Sequence, residues 1–481
     1  MLSGVEGCFD SAQDDGNRQI HHNHRVKRLV RGLMVVYPQR ETMIDIKTIV
    51  ICSATALLMA CQSHTGDQAA FFHSDAVHSG YYETKGIDTL RGVAWRYKTA
   101  GRIFSSPVIS GDEVFIGSDD GHLYALNARN GELLWKFRTG GRVSSSPAVY
   151  DNKVYVVSFD GYLYCIERQS GREVWKFKTA GERVFSAPGL HGMPEKDRAL
   201  DDPWDTFLSS PVVANGKVYA GCGAGVFYAL DCNTGEKYWE FKTGGVIHSS
   251  PAYASSTVYF GSWDSYLYAL NSEDGTLKWK FKTGIDTVYF NQVGFQSSPV
   301  VYKGIVYSGC RDAHVWAIEA ETGDLKWKYF NNFSWVNATP AIYNDTLYFE
   351  TSDSHKLIAL HAITGKLLYT GDCKTYGFSS PAVADGKIYL GTHGGSLMAF
   401  ATRTGQPVWE FQTPAAKANQ DSIIAPNGEF NYAKIFTENS YVANMKAVDL
   451  IYSVGSVLSS PAVSGGMVYF GSTDSCIYAL Y

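Results

Sequence analysis

The sequence lacks long apolar runs, paired-cysteine motifs and any recognisable catalytic signature. Its most apolar stretch, TIVICSATALLMA, is too short to cross a bilayer as a helix. None of the 9 cysteines forms CxxC, CxxCH or an adjacent pair. That excludes c-type haem attachment and offers no zinc signature. G-x-S-x-G, H-E-x-x-H and the phosphate-binding P-loop are all missing. The formal net charge of -5, with no basic cluster among the repeats, argues against nucleic acid as a partner.

What is present begins with an N-terminal leader. Residues 1–42 are polar and aperiodic, and read as an upstream or unstructured extension. Met43 then opens a short cationic region with Lys47, and the apolar run ends in Leu58-Met59-Ala60-Cys61. A small residue before Cys at this place resembles a bacterial lipobox, so residues 43–60 are expected to be a signal peptide and Cys61 the site of lipid attachment. Gln62, rather than Asp, after the cysteine favours outer-membrane sorting by analogy with such lipoproteins. Residues 61–94 read as a tether and lead-in, and deletion of residues 62–90 is expected to be nearly neutral for folding.

The rest of the chain repeats itself. Ser-Ser-Pro recurs at 105–107, 145–147, 209–211, 249–251, 297–299, 379–381 and 459–461, with Ala338-Thr339-Pro340 as a degenerate copy. Each copy continues with a VYxGS-like strand, an LYAL-like strand, a Thr-Gly-type turn and a W-x-F-x-T strand. We call these strands A, B, C and D. Four short β-branched and aromatic strands per unit of about 40 residues are the pattern of a propeller blade. The chain opens on a D strand (Trp95–Thr99) and ends on a C strand (Ile477–Leu480). The expected architecture over residues 95–481 is therefore all-β: a single eight-bladed β-propeller of four-stranded blades, closed by the N-terminal strand. One short helical insertion is expected from the spacing of Tyr441, Met445, Val448 and Tyr452.

The phrase A-L-N-x-x-T-G-x-x-x-W-x-F, as in Ala125–Phe137 and Ala269–Phe281, resembles the pyrroloquinoline-quinone-like (PQQ-like) repeat. Two groups share it: quinoprotein dehydrogenases and BamB-like bacterial lipoproteins. The resemblance implies that each D-strand Trp packs between adjacent blades against a Thr-Gly turn. Truncating one would then cost roughly 3–5 kcal/mol.

The long insertions (181–207, 284–296 and 413–458) all fall between D and A strands, hence on one face. The slot after the "GS" of each B strand lies on that face too and varies freely: Asp119, Phe159, Gly223, Trp263, Arg311, Ser352, His393, Thr473. The candidate ligand residues are His248, Trp263, Asn291, Gln292, Gln296, Arg311 and His393, because pockets need a few convergent polar groups beside an aromatic wall. Asp264 and Asp312 recur in other copies and are read as turn residues. For Trp263 and Arg311 the alternative is rim packing and pairing with a neighbouring carboxylate.

Two functions are expected from different classes. The first is a non-enzymatic, lipid-anchored envelope scaffold without cofactor. It would bind an envelope protein, or a small anionic or polyhydroxylated ligand, on the insertion face, as a monomer facing the periplasm. The alternative is a dehydrogenase of alcohols or sugars holding PQQ and Ca²⁺, with Trp263 stacked on the quinone and Arg311 beside it. The adjacent-cysteine pair common in such enzymes is absent. A hydrolase or lyase built on His248, His393 and Arg311 has no motif behind it.

Overall fold

The computed structural model describes residues 69–481. The extension, the signal peptide and the lipid attachment at Cys61 lie outside the described residues. Eight four-stranded antiparallel sheets succeed one another along the chain. Blade 1 spans residues 108–138, and blades 2 to 7 span 148–178, 212–242, 252–282, 300–330, 341–372 and 382–412. Blade 8 combines Ala462–Ser464, Met467–Gly471 and Cys476–Leu480 with the N-terminal strand Val93–Lys98. Closure pairs Trp95 with Ala479 and Tyr97 with Ile477, so the C strand of blade 8 is covered on its outer side as in the other blades.

The repeated motifs have separate tasks. The second residue of each Ser-Ser-Pro (Thr339 in the degenerate copy) uses its hydroxyl to accept the backbone N–H of the corresponding residue in the preceding blade. Eight such bonds of 2.8–3.1 Å run round the axis and return to Ser106. At the rim, every D-strand Trp except Trp409 lies against the turn glycine of the next blade. A methyl group placed on Gly131 or Gly275 would lie 2.6 Å from Trp95 or Trp239. Only glycine admits the ring there, and each of these glycines has positive φ besides. The indole N–H donates to a carbonyl of the same turn, as from Trp95 to Ala128 at 2.8 Å and from Trp327 to Ala362 at 2.8 Å.

The lead-in is not a passive tether, which corrects the sequence reading for residues 70–90. Ala70 exchanges backbone hydrogen bonds with Val149 of blade 2. Further on, the carbonyls of Ala76, Val77, Ser79 and Gly80 accept N–H groups from the A strands of blades 4, 5, 6 and 7. The segment therefore crosses the ring on the side of the A–B turns, with Phe71, Phe72, His73 and His78 buried. Ile87 fills a specific gap. Blade 8 is split by the chain termini and has no C–D turn, and Trp409 of blade 7 donates instead to the Ile87 carbonyl at 3.0 Å.

The third insertion is helical as expected, in three pieces: Pro414–Ala418, Tyr432–Ile435 and Tyr441–Ser453. Its longest helix buries Asn444, Ala447, Val448, Ile451 and Tyr452, while Met445 turns outward. The first insertion adds a small ribbon, Ser186–Pro188 against Ala199–Asp201. Ala187, Leu190 and Leu200 of that insertion form one apolar cluster with Phe290 of the second and Tyr441 of the third, so the three insertions pack together as a cap.

Candidate functional site

The structure gathers the sequence-predicted residues on the insertion face but withdraws most of them from solvent. Arg311 is 0% exposed and Trp263 2%. The Arg311 guanidinium lies between two indoles, 4.5 Å from the Trp263 ring centre and 4.2 Å from that of Trp335. Its Nη1 pairs with Asp202, and its Nη2 donates to Gln296 Oε1 at 3.0 Å. Gln296 in turn donates to the Trp204 carbonyl at 2.8 Å. Burial works against the Asp202 carboxylate, but Arg311 and His191 beside it prevail and hold its pKa far below the ordinary range.

His248 is treated alike. Its Nδ1 lies 2.7 Å from Asp205 Oδ1, and its Nε2 lies 3.6 Å from Glu182 Oε2. Burial alone would favour neutral imidazole, yet the two carboxylates outweigh it and raise the pKa to about 9. Glu182 itself is pushed upward, chiefly by burial. His393 has no such partner. Its Nδ1 donates to the Tyr376 carbonyl at 3.0 Å, inside a box that includes Trp204, Phe378 and Tyr452. Burial lowers its pKa to about 4, so it is neutral at physiological pH.

Asn291 Oδ1 accepts from His191 Nδ1 at 2.9 Å, while Gln292 stays at the half-buried edge of its loop. Asp264 and Asp312 are the turn residues expected: each accepts the N–H two residues on, at 3.1 Å. They also serve the neighbouring D–A segment, through Gly244 N–H at 2.7 Å and Gly284 N–H at 3.1 Å.

Sequence reasoning missed the first insertion's part. Glu182, Phe185, His191, Asp202, Trp204 and Asp205 all come from it, and they supply the counter-charges and stacking partners of Arg311, His248 and Trp263. The available signal was the run DDPWDTF, dense in carboxylates, in a loop on the same face as a lone arginine. The six cysteines beyond Cys61 are all buried and unpaired.

These residues do not suit a planar quinone cofactor. Phe185 stacks on Trp263 at 4.4 Å with 9° between planes, and Arg311 lies over the same indole, so both faces are taken. The enclosed space on the axis, at the hydroxyl ring, holds about 30 Å³. Among the described residues no group of three His, Cys, Asp or Glu side chains is placed to hold a metal ion.

Open space lies to the side. A cleft of about 270 Å³ is walled by Trp204, Trp335, Phe333, Tyr376, Phe378 and Phe436, with His191 and Asn291 also lining it. Here all three insertions meet the B–C turn of blade 6.

The family model described as outer membrane protein assembly factor BamB matches residues 86–191, 160–334 and 331–434. The crystal structure of BamB from Moraxella catarrhalis is similar with a TM-score of 0.57, covering 81% of this chain and 97% of that one at 13% identity. Quinohemoprotein alcohol dehydrogenase from Comamonas testosteroni is similar with a TM-score of 0.63, covering 88% and 82% at 14% identity. At such identities the likeness shows the fold alone. The dehydrogenase subunit of a quinone alcohol dehydrogenase from Gluconobacter oxydans is 38% identical over 86 residues, 16% of this chain and 11% of that one. The chain thus matches about a tenth of that relative's length.

Proposed function

Because this chain belongs to the PQQ-like repeat family described as outer membrane protein assembly factor BamB, we propose that it is a lipid-anchored, non-enzymatic binding scaffold of the bacterial cell envelope. It works without a cofactor and docks its partner on the insertion face. One observation carries the reading: the groups on that face able to do chemistry are already committed to one another. Arg311 is neutralised by Asp202, and His248 is held by Asp205 and Glu182. A catalytic acid or base must meet its substrate within hydrogen-bond reach, and these do not meet solvent. Large apolar side chains do. Ile285, Val288, Tyr289, Phe333 and Val442 are 51–68% exposed on the cap and the loop beside it. Most other exposed apolar residues sit near the start of D strands, spread round the rim. An apolar patch presented by a rigid body suits protein docking.

Two measurements test this. Cys61→Ser should move the protein from the membrane fraction to the soluble envelope fraction with an altered processed mass. A photocrosslinking residue at Val288 or Phe333 should trap one envelope protein reproducibly, and the same residue at Leu134 on the rim should not. Dye-linked alcohol oxidation by the purified chain in the presence of PQQ and Ca²⁺ would overturn the reading in favour of a dehydrogenase.

A further inference from the structure

The aromatic cleft contains a residue that the fold alone does not explain. The buried stripe of the Tyr441–Ser453 helix is otherwise Ala447, Val448, Ile451 and Tyr452, yet its first member is Asn444. Asn444 is 7% exposed and lines the cleft, so what remains accessible of this residue opens into the cleft. The rest of the stripe is apolar and packs inward, so the one amide in it is the member that faces the cleft, where it can meet a donor or an acceptor. An amide kept at this place fits a ligand that completes it.

The opposite wall is held rigidly. His191 has φ of 54°, a left-handed conformation costly for a side chain larger than glycine. It is clamped there between Asn291 at 2.9 Å and Asp202 at 3.3 Å. Behind it, Asp202 is fixed by Arg311, and Arg311 by the Trp335 ring that faces the cleft. The polar groups are therefore set in position before any ligand arrives, which lowers the entropy lost on binding.

We propose that this cleft binds a neutral polyhydroxylated ligand, one or two sugar rings of a glycan. The proposal deepens the binding role above and rests on it only in placing recognition on the insertion face. Charge selects the class. The lining includes no Lys or Arg, and Asp353 is its only carboxylate. An anion would find no free cation, since the nearby Arg311 is already paired. A quaternary ammonium ion would gain the aromatic walls but would offer the Asn444 amide neither a donor nor an acceptor. A sugar hydroxyl offers both, and the C–H face of a pyranose ring stacks on an indole or phenol ring. A volume of about 270 Å³ is at the small end of ligand sites and suits one or two rings. Of the two ligand classes expected from sequence, the structure thus favours the polyhydroxylated one.

The test is titration calorimetry and tryptophan fluorescence on the purified full chain with cellobiose, maltose and N,N′-diacetylchitobiose, and with choline and inorganic phosphate as controls. At least one disaccharide should bind with Kd at or below about 1 mM and shift the emission of the cleft indoles, with neither control competing. Asn444→Leu should weaken that binding by about tenfold or more while its melting temperature holds or rises. Phe436→Ala, at a partly exposed wall position, should weaken binding too, and keeps the test open if Asn444→Leu does not fold. No binding of any disaccharide at about 10 mM, displacement by choline or phosphate, or unchanged affinity in both variants overturns the proposal. The titration needs neither the anchor nor a protein partner, so its failure leaves the scaffold reading standing, and the converse holds.

Discussion

Arg311 of blade 5 and Asp202 of the first insertion form an ion pair with neither side chain exposed to solvent, and two indoles enclose the guanidinium. This contact is one of several that fix the cap to the ring, with His248–Asp205 and Gln296–Trp204 beside it. Removing one partner leaves the other charge buried and alone, at a cost of about 3–5 kcal/mol. Asp202→Ala should therefore lower stability by that order in urea denaturation. The double variant Asp202→Leu/Arg311→Met should recover much of it, because no unpaired charge remains. From the sequence, a ligand role for Trp263 and Arg311 predicts that Trp263→Ala and Arg311→Ala spare the melting temperature, and rim packing with carboxylate pairing predicts that both lower it. Their burial and the Asp202 pair favour the second, so both should lower it.

His248 supplies a pH dependence whose sign follows from its neighbours. Asp205 and Glu182 raise its pKa in the folded state to about 9, above the ordinary 6.5. The unfolded chain binds that proton less tightly, so the contribution is complete below about pH 6.5 and is lost as pH rises towards 9. The difference corresponds to roughly 3 kcal/mol. Unfolding free energy measured at intervals from pH 6 to 9.5 should fall across this window. His248→Gln should flatten the fall, and an unchanged slope in that variant would assign it to other groups.

The propeller was legible because its signals are local and recur: an N–H acceptor at each Ser-Ser-Pro, a ring at each D strand, a glycine at each Thr-Gly turn. Ring closure followed from counting strands. What was hidden depends on residues far apart in the chain. Nothing local to Arg311 announces Asp202, and nothing near Trp409 announces the Ile87 carbonyl that satisfies it. Asn444 was concealed by the helix pattern itself. The apolar spacing through Tyr441, Met445, Val448 and Tyr452 placed Val448 and Tyr452 correctly on the buried stripe, but put Met445 there, which turns outward, and left out Asn444.

Ile87 and the segment before it make the lead-in part of the fold. Deleting residues 62–90 removes the backbone pairing of Ala70 with Val149 and of Tyr82 with Val383, and the acceptor of Trp409. That truncation should lower the melting temperature clearly, and more than deletion of residues 62–68. Ile87→Pro tests one contact within the segment, because proline removes the N–H that bonds Tyr389 Oη at 2.8 Å. Thermal midpoints equal to the intact chain would return the lead-in to a passive role.

The seam between blades 6 and 7 departs from its equivalents in a way that a paired substitution can test. Where blades 1, 3, 4, 5, 7 and 8 end the B strand in Gly117, Gly221, Gly261, Gly309, Gly391 and Gly471, blade 6 has Glu350. Opposite those glycines stand Val143, Ile247, Phe295, Val336, Val457 and Ile103, close enough that an added methyl would lie within 2.5 Å. Opposite Glu350 stands Gly377, where an added methyl would lie 1.8 Å from the Glu350 carboxyl carbon. Large and small have changed places, and the large partner is a carboxyl group, 0% exposed, with no well-formed hydrogen bond to either oxygen and only the weak Cys373 thiol donor beside it among the described residues. Burial drives its pKa well above 4.5, so the folded state favours the protonated form. Stability from this group is therefore present at acid pH and lost as pH rises above the unfolded value near 4.5. Gly377→Val alone should block packing of the seam, and Glu350→Gly alone should leave a cavity. The double variant Glu350→Gly/Gly377→Val restores the arrangement of the other seams without a buried acid. It should be more stable than the natural chain at neutral pH, by about 1–3 kcal/mol, the cost of a buried unsatisfied polar group. The gain should shrink as pH falls towards 4.5, where the unfolded carboxyl takes up its proton as well. A double variant less stable than the natural chain at both ends of that range would show that the seam needs its carboxyl for packing.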